Sequence, residues 1–340
     1  MKKIIIIFVI GIAILIIVLK SNETEVPESN KTEISNETKI GAFYYPWYDE
    51  NKWKVGYNGN PDLGLYDSRD QDVISNHVQQ LESANIDFIL VSWWGPGSQT
   101  DITLKEHILQ NQEIKYAIVF EPYNGAFKTI SETDFHIDFS DEENKQALFD
   151  SMDYLAGTYF SDDRYQKIND KPIIYFWVAF NYLSFEDTFG ELRKRLKSKG
   201  FDAYMIGDIQ KTEIETDDFR SYMKHFDAVS SYNMFSSIKG ANSNLIERAD
   251  YEYARWKKAA NDSGADFIPV VFPGYDDRIV RRGNEVLDRS PERFREMLKV
   301  AEKYKENMIL ITSFNEWHEN TQIEADREEG RIYLDILNEK

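Results

Sequence analysis

The chain has 340 residues, 42% of them hydrophobic and 29% charged, with no cysteine. That length supports one large domain or two ordinary ones with a well-packed core, and the missing cysteine excludes disulfide scaffolds, thiolate nucleophiles, Cys-ligated zinc and iron–sulfur clusters. Forty Lys and Arg against 59 Asp and Glu leave a net charge of −19, which repels phosphate backbones and anionic membrane surfaces and argues against a nucleic-acid partner.

Lys2 and Lys3 precede an apolar run from Ile4 to Leu19 that Lys20 closes. Sixteen helical residues span about 24 Å, between a signal-peptide core and a full membrane span. Leu19-Lys20-Ser21 lacks a small-residue cleavage pattern, so residues 1–20 are expected to form an uncleaved signal anchor, with a cleaved signal as the alternative. With Lys2 and Lys3 on the cytoplasmic side, the rest of the chain lies outside the cytoplasm, at the cell surface or in a secretory lumen, tethered to the membrane. Residues 21–39 read SNETEVPESNKTEISNETK. With so few apolar side chains they cannot offset their ordering entropy and are expected to be a flexible stalk. Asn22, Asn30 and Asn36 each open an Asn-x-Thr triplet, a glycosylation acceptor in organisms that use it.

From residue 40 the pattern changes. Eight short β-rich apolar runs follow: Ile40–Trp47, Ile86–Trp93, Lys115–Phe120, Pro172–Val178, Ala203–Gly207, Phe226–Tyr232, Phe267–Phe272 and Met308–Phe314. Amphipathic stretches lie between them. Val73, Ile74, His77, Val78 and Leu81 share one helical face, as do Phe185, Phe189, Leu192 and Leu196. Another helix starts at Ser290-Pro291, a capping residue followed by proline at the first helical position, and buries Phe294, Met297, Leu298 and Ala301. Continuous apolar strands alternating with helices indicate a parallel sheet with helices outside. Eight such units predict an α/β fold, a (β/α)₈ TIM-type barrel over residues 40–340. A doubly wound open sheet is the alternative, but the Gly-rich phosphate loop it normally carries after an early strand is missing.

In such barrels the site lies at the C-terminal ends of the strands. Those ends carry Phe43-Tyr44-Tyr45-Pro46-Trp47-Tyr48, Ser92-Trp93-Trp94-Gly95, Glu121-Pro122-Tyr123, Tyr232-Asn233, Pro273-Gly274-Tyr275-Asp276-Asp277 and Asn315-Glu316-Trp317-His318-Glu319. Aromatic faces stack on the C–H faces of sugars, and carboxylates act on hydroxyls and glycosidic oxygens. The aromatic content, 20 Tyr, 21 Phe and seven Trp, fits that use as well as it fits an aromatic core. Glu316 and Glu319 are the strongest signal. On an extended strand they would face apart; in a helical turn their Cβ atoms lie about 5–6 Å apart, near the ~5–5.5 Å of carboxyl pairs in retaining glycosidases. The bland alternative is two solvated glutamates. Metal chemistry competes weakly: His318-Glu319 opens like a zinc helix, but residue 322 is Gln. His77 reads as a core histidine, and Asp276-Asp277 as hydrogen-bonding rim residues. No Gly-x-Ser-x-Gly elbow is present, and no cofactor is expected.

Taken in order, these rim segments resemble glycoside hydrolase family 99, the endo-α-1,2-mannosidase family. The matching pieces are Gly41–Tyr48, Gly64-Leu65-Tyr66-Asp67-Ser68, Ser92–Gly97, Glu121-Pro122-Tyr123, Pro273–Asp277 with Arg281 and Asn284, and Ser313–Glu319 with Thr321-Gln322-Ile323-Glu324. The resemblance implies a metal-independent (β/α)₈ enzyme that cleaves inside an α-mannoside chain with retention. Glu316 would act as base on the sugar's own 2-hydroxyl to give a 1,2-anhydro sugar, and Glu319 as general acid, then base. Substrate contacts would come from Tyr44, Tyr45, Trp93, Trp94, Glu121, Tyr123, Tyr232, Tyr275, Asp276, Arg281 and Asn315. The sequence departs from the family at Asn320, where Gly is usual, at Ala325, where Pro is usual, and at Arg282-Gly283, where a Pro-Trp pair is usual. A glycan-binding or polysaccharide-assembly protein that keeps the barrel without turnover is the alternative function.

Overall fold

The structure is a computed structural model that describes residues 38–111, 113–122, 125–131, 134–209, 221–237, 244–281 and 286–339. The expected anchor, the stalk up to residue 37, Tyr123 and Arg282-Gly283 lie outside the described residues. Among the described residues no helix is long and apolar enough to cross a membrane.

All eight expected runs form strands, and all pair in parallel. They are β1 Lys39–Tyr44, β2 Phe88–Trp93, β3 Tyr116–Phe120, β4 Lys171–Phe176, β5 Tyr204–Asp208, β6 Ala228–Ser230, β7 in two pieces, Asp266–Ile268 and Val270–Val271, and β8 Met308–Ile311. Neighbours follow chain order, and β8 returns to pair with β1, Lys39 opposite Met308. The first piece of β7 pairs with β6 and the second with β8. Pro269, which has no N–H to give to a ladder, sits at the break. The result is a nearly closed parallel barrel of TIM type, and the doubly wound alternative falls.

Gly41 shows how tightly β1 is packed, since a Cβ there would meet Phe88 at 2.5 Å. The helices cover the outside. Helix α1, Gln71–Ser83, is capped by Asp70 and buries Val73, Ile74, His77, Val78 and Leu81, the face that the periodicity predicts. Helices α2, Gln99–Glu106, and α3, Glu142–Thr158, follow β2 and β3. Helix α4, Glu186–Ser198, buries Phe189, Leu192 and Leu196, and α5, Leu245–Asp262, precedes β7. Helix α6, Pro291–Lys303, begins where expected: the Ser290 side chain accepts the Arg293 N–H, and Phe294, Met297, Leu298 and Ala301 are buried. Fully burying each of Phe294, Met297 and Leu298 contributes about 1.5–3 kcal/mol. Helix α7, Ile332–Asn338, closes the described chain. Two-residue strands at Ile137–Asp138 and Tyr182–Leu183 pair with each other, and Lys167–Ile168 pairs antiparallel with β4. Segments that short carry no readable periodicity.

Candidate active site

The chain turns sharply after β8. The Glu316 N–H donates to Ser313 Oγ at 2.8 Å, and the Glu319 N–H donates to the Glu316 carbonyl at 3.3 Å. One turn therefore separates the two glutamates, the condition under which residues three apart share a side. Both are buried, at 3% and 7% exposure.

Their surroundings differ. Glu316 accepts three hydrogen bonds at Oε1: the His318 N–H at 2.9 Å, His318 Nδ1 at 2.7 Å and the Tyr48 hydroxyl at 3.2 Å. Glu319 accepts the Tyr232 hydroxyl at Oε2 (2.8 Å) and Arg281 at Oε1 (2.7 Å). Burial lifts the Glu319 pKa above the usual carboxylate range; the Arg281 guanidinium pulls it down, and the nearby Glu316 charge adds to the rise. Arg281 is itself braced by Asp277 at 3.1 Å, which also accepts the Tyr275 hydroxyl at 2.9 Å.

Asn315, next to Glu316, positions Tyr45. Its amide holds both backbone groups of Tyr45, accepting the N–H at 2.7 Å and donating to the carbonyl at 3.0 Å. The Tyr45 hydroxyl then donates to that of Tyr232 at 2.7 Å, completing a chain to Glu319. The rings of Tyr45, Trp47 and Trp94 follow one another at 4.5 and 5.1 Å, tilted by 39° and 49°, and Lys52 Nζ lies over the Trp47 ring at 4.4 Å. Trp94 Nε1 donates to Glu121 at 3.1 Å. Burial, with the charges of Glu316 and Glu319 adding, pushes the Glu121 pKa up to about 7.

A sequence profile of glycosyl hydrolase family 99 matches residues 34–339. The chain belongs to that family. Similar proteins include the human glycoprotein endo-alpha-1,2-mannosidase-like protein, 27% identical over 316 residues that cover 88% of this chain and 65% of that one. A zebrafish (Danio rerio) protein of the same description is 28% identical over 289 residues, 81% of this chain and 61% of its own. The chain thus spans somewhat under two thirds of the curated relatives it matches first. In fold it is similar to the family 99 endo-alpha-mannosidase of Bacteroides thetaiotaomicron, with TM-score 0.69, 22% identity, and coverage of 89% of this chain and 96% of that one.

Within this family 99 barrel the expected site residues do not all gather at the mouth. Glu316, Glu319, Tyr45, Trp94, Glu121, Tyr232, Tyr275, Arg281 and Asn315 are drawn into one connected group around the two glutamates. Tyr44 turns the other way and meets His77 Nδ1 at 2.9 Å; His77 in turn meets Glu324, which also accepts from Tyr66 and Trp317. Trp93 is fully buried, with Nε1 donating to Asp101 of α2. The Asp276 carboxylate pairs with Arg278, and its neighbour Asp277 faces Arg281 instead. Among the described residues no group of three His, Asp or Glu is placed to hold a metal ion.

Four participants escaped the sequence reasoning as site residues: Trp47, Tyr48, Asn58 and His318. The first two lie in the quoted β1 motif, and His318 was weighed only as a zinc ligand. Asn58 carries no motif signal. Its N–H donates to the Trp317 carbonyl at 2.8 Å, and its side-chain amide reaches the carbonyls of Asp276 (3.0 Å) and His318 (3.3 Å). With the Asp276 N–H on the Glu319 carbonyl at 2.8 Å, every carbonyl from Trp317 to Glu319 has a partner. Two family departures also find a physical account. Asn320 has φ +57°, a left-handed position that Gly takes freely and Asn tolerates best among the rest. The Ala325 N–H donates to Gln80 Oε1 at 2.9 Å, a bond that Pro could not make.

Proposed function

We propose that the protein is a retaining endo-α-mannosidase that cleaves internal α-1,2-mannosidic bonds of a glycan. The observation that carries this reading is the contrast between Glu316 and Glu319 within one turn. Glu319, its pKa raised by burial, suits a general acid. Glu316, whose donors among the described residues all meet Oε1, offers Oε2 for a substrate proton. In an α-mannoside the 2-hydroxyl is trans to the scissile bond. Glu316 takes the proton of that hydroxyl, O2 attacks C1, and the C1–O bond breaks as Glu319 protonates the leaving oxygen. The product of this step is a 1,2-anhydro sugar. Glu319, now ionised, takes a proton from water as the water attacks C1. The epoxide opens, O2 regains its proton from Glu316, and two inversions at C1 give net retention.

The names of the curated relatives and the cluster of Tyr45, Trp47 and Trp94 beside the two glutamates support a glycan substrate. The test compares two nearly isosteric variants on defined α-mannosides. Glu316→Gln should lower turnover by about 10²–10⁴-fold whatever the leaving group, the range for a lost general base. Glu319→Gln should lose as much with an oligosaccharide but less with an activated leaving group, which needs little protonation. Full activity in both variants would remove the enzyme assignment and leave a glycan-binding protein.

A further inference from the structure

We infer that His318 is a positioning residue for Glu316, whose side chain it fixes so that Oε2 alone meets the substrate's 2-hydroxyl. The inference rests on the reading of Glu316 as the base, and it gives a second, independent handle on that site. All three donors that reach Glu316 among the described residues arrive at Oε1, and two of them belong to His318: the backbone N–H at 2.9 Å and ring Nδ1 at 2.7 Å. The third is the Tyr48 hydroxyl. A carboxylate held at one oxygen from three directions has lost the rotation that would exchange its two oxygens. The base then presents a defined lone pair rather than an average over rotamers, and placement of this kind is worth rate when it holds the reacting atoms in line.

The tautomer follows from the partners. Nδ1 faces the Glu316 carboxylate oxygen at 2.7 Å, an acceptor only, and the Tyr48 hydroxyl at 3.2 Å; with the Tyr48 proton directed to the same Glu316 oxygen, the neutral ring carries its proton on Nδ1. Nε2 is buried and has no partner among the described residues, which leaves nothing to hold a proton there. The ring cannot swing away easily. It lies stacked on Tyr48 with centroids 5.3 Å apart and planes 9° apart, and Tyr48 is stacked in turn on Trp53 at 4.2 Å. Tyr48 also accepts the Trp317 N–H at 2.9 Å, so the clamp is tied to the backbone between the two glutamates.

The experiment is a double-mutant cycle on the full-length protein with an α-mannoside substrate, using His318→Ala and His318→Asn in wild-type and Glu316→Gln backgrounds. His318→Ala should lower kcat by about 10–100-fold with KM little changed, the size of one lost hydrogen bond to a charged group. His318→Asn, whose amide nitrogen sits near the place of Nδ1, should recover most of the loss. In the Glu316→Gln background His318→Ala should cost almost nothing further, because the group it positions is already gone. Thermal melting checks that each variant folds, and ¹⁵N NMR of the wild-type ring, which needs no variant, should find the proton on Nδ1. Full activity of His318→Ala, equal losses in both backgrounds, failure of His318→Asn to improve on Ala, or a proton on Nε2 alone would overturn the inference while leaving an impaired Glu316→Gln to support the base. An unimpaired Glu316→Gln would overturn the base and the inference together.

Discussion

Asp101 and Glu316 are acids buried to nearly the same degree, 2% and 3% exposed, each at the C-terminal side of the barrel, and they are used in opposite ways. Asp101, on α2, accepts Trp93 Nε1 at 2.8 Å and the Tyr159 hydroxyl at 2.5 Å on one oxygen. Its other oxygen accepts the Gly97 N–H and the Tyr154 hydroxyl, both at 2.8 Å. Both oxygens are occupied, and the group ties β2, its following loop and α3 together. Glu324 follows the same plan, with His77 on one oxygen and Tyr66 and Trp317 on the other. Among the described residues, Glu316 takes all its donors on one oxygen. Asp101 and Glu324 spend both oxygens on structural donors from the surrounding elements, whereas Glu316 is held at Oε1 among the described residues. Burial alone does not distinguish Asp101 from Glu316; the placing of their partners does, and Glu319, with Tyr232 on one oxygen and Arg281 on the other, differs from Asp101 in having a charged partner.

The comparison can be broken directly. Asp101→Ala should strip four donors of their acceptor at once and cost on the order of 3–5 kcal/mol of stability, since each buried group left unpaired costs ~1–3 kcal/mol and the site relaxes in part. Denaturant unfolding would measure it, and Glu316→Gln should show almost no such loss while losing turnover. Equal stability of Asp101→Ala and wild type would contradict the structural role. A smaller effect sharpens the contrast on the Glu319 side. In the proposed mechanism the acid step needs Glu319 protonated, so kcat/KM should fall as pH rises through its raised pKa. Arg281 holds that pKa down. Arg281→Met should therefore move the alkaline limb to higher pH, beyond any uniform drop in rate. A limb that stays in place, or moves to lower pH, would show that another group sets it.

The barrel was legible because every strand is a dense apolar run, and helix α6 because its cap, proline and apolar face agree. The site was legible only to the level of doublets. Tyr44-Tyr45, Trp93-Trp94 and Asp276-Asp277 each put two similar residues at a strand end, and in all three the second faces the glutamates. Tyr44 reaches His77 of α1 and Trp93 reaches Asp101 of α2, both in the helix layer, while Asp276 pairs with Arg278. Tyr45 reaches Tyr232, Trp94 reaches Glu121, and Asp277 reaches Arg281. Successive side chains of an extended chain point to opposite faces, so half of each pair had to turn away, but composition cannot say which half. Asn58 was invisible for a different reason. It acts through carbonyls of the turn that carries Glu316 and Glu319, and any residue with an amide in that place would read the same in sequence.

The central claim is that Glu316 works on the substrate's 2-hydroxyl and makes no bond to the sugar. The most direct measurement follows the turnover of an α-mannoside with an activated leaving group against its 2-deoxy counterpart, with mass spectrometry of the protein during the reaction. The account predicts rapid turnover of the first, none above background of the second, and an unmodified Glu316 throughout. Rapid turnover of the 2-deoxy substrate, or a glycosyl ester on Glu316, would contradict it and point to ordinary double displacement.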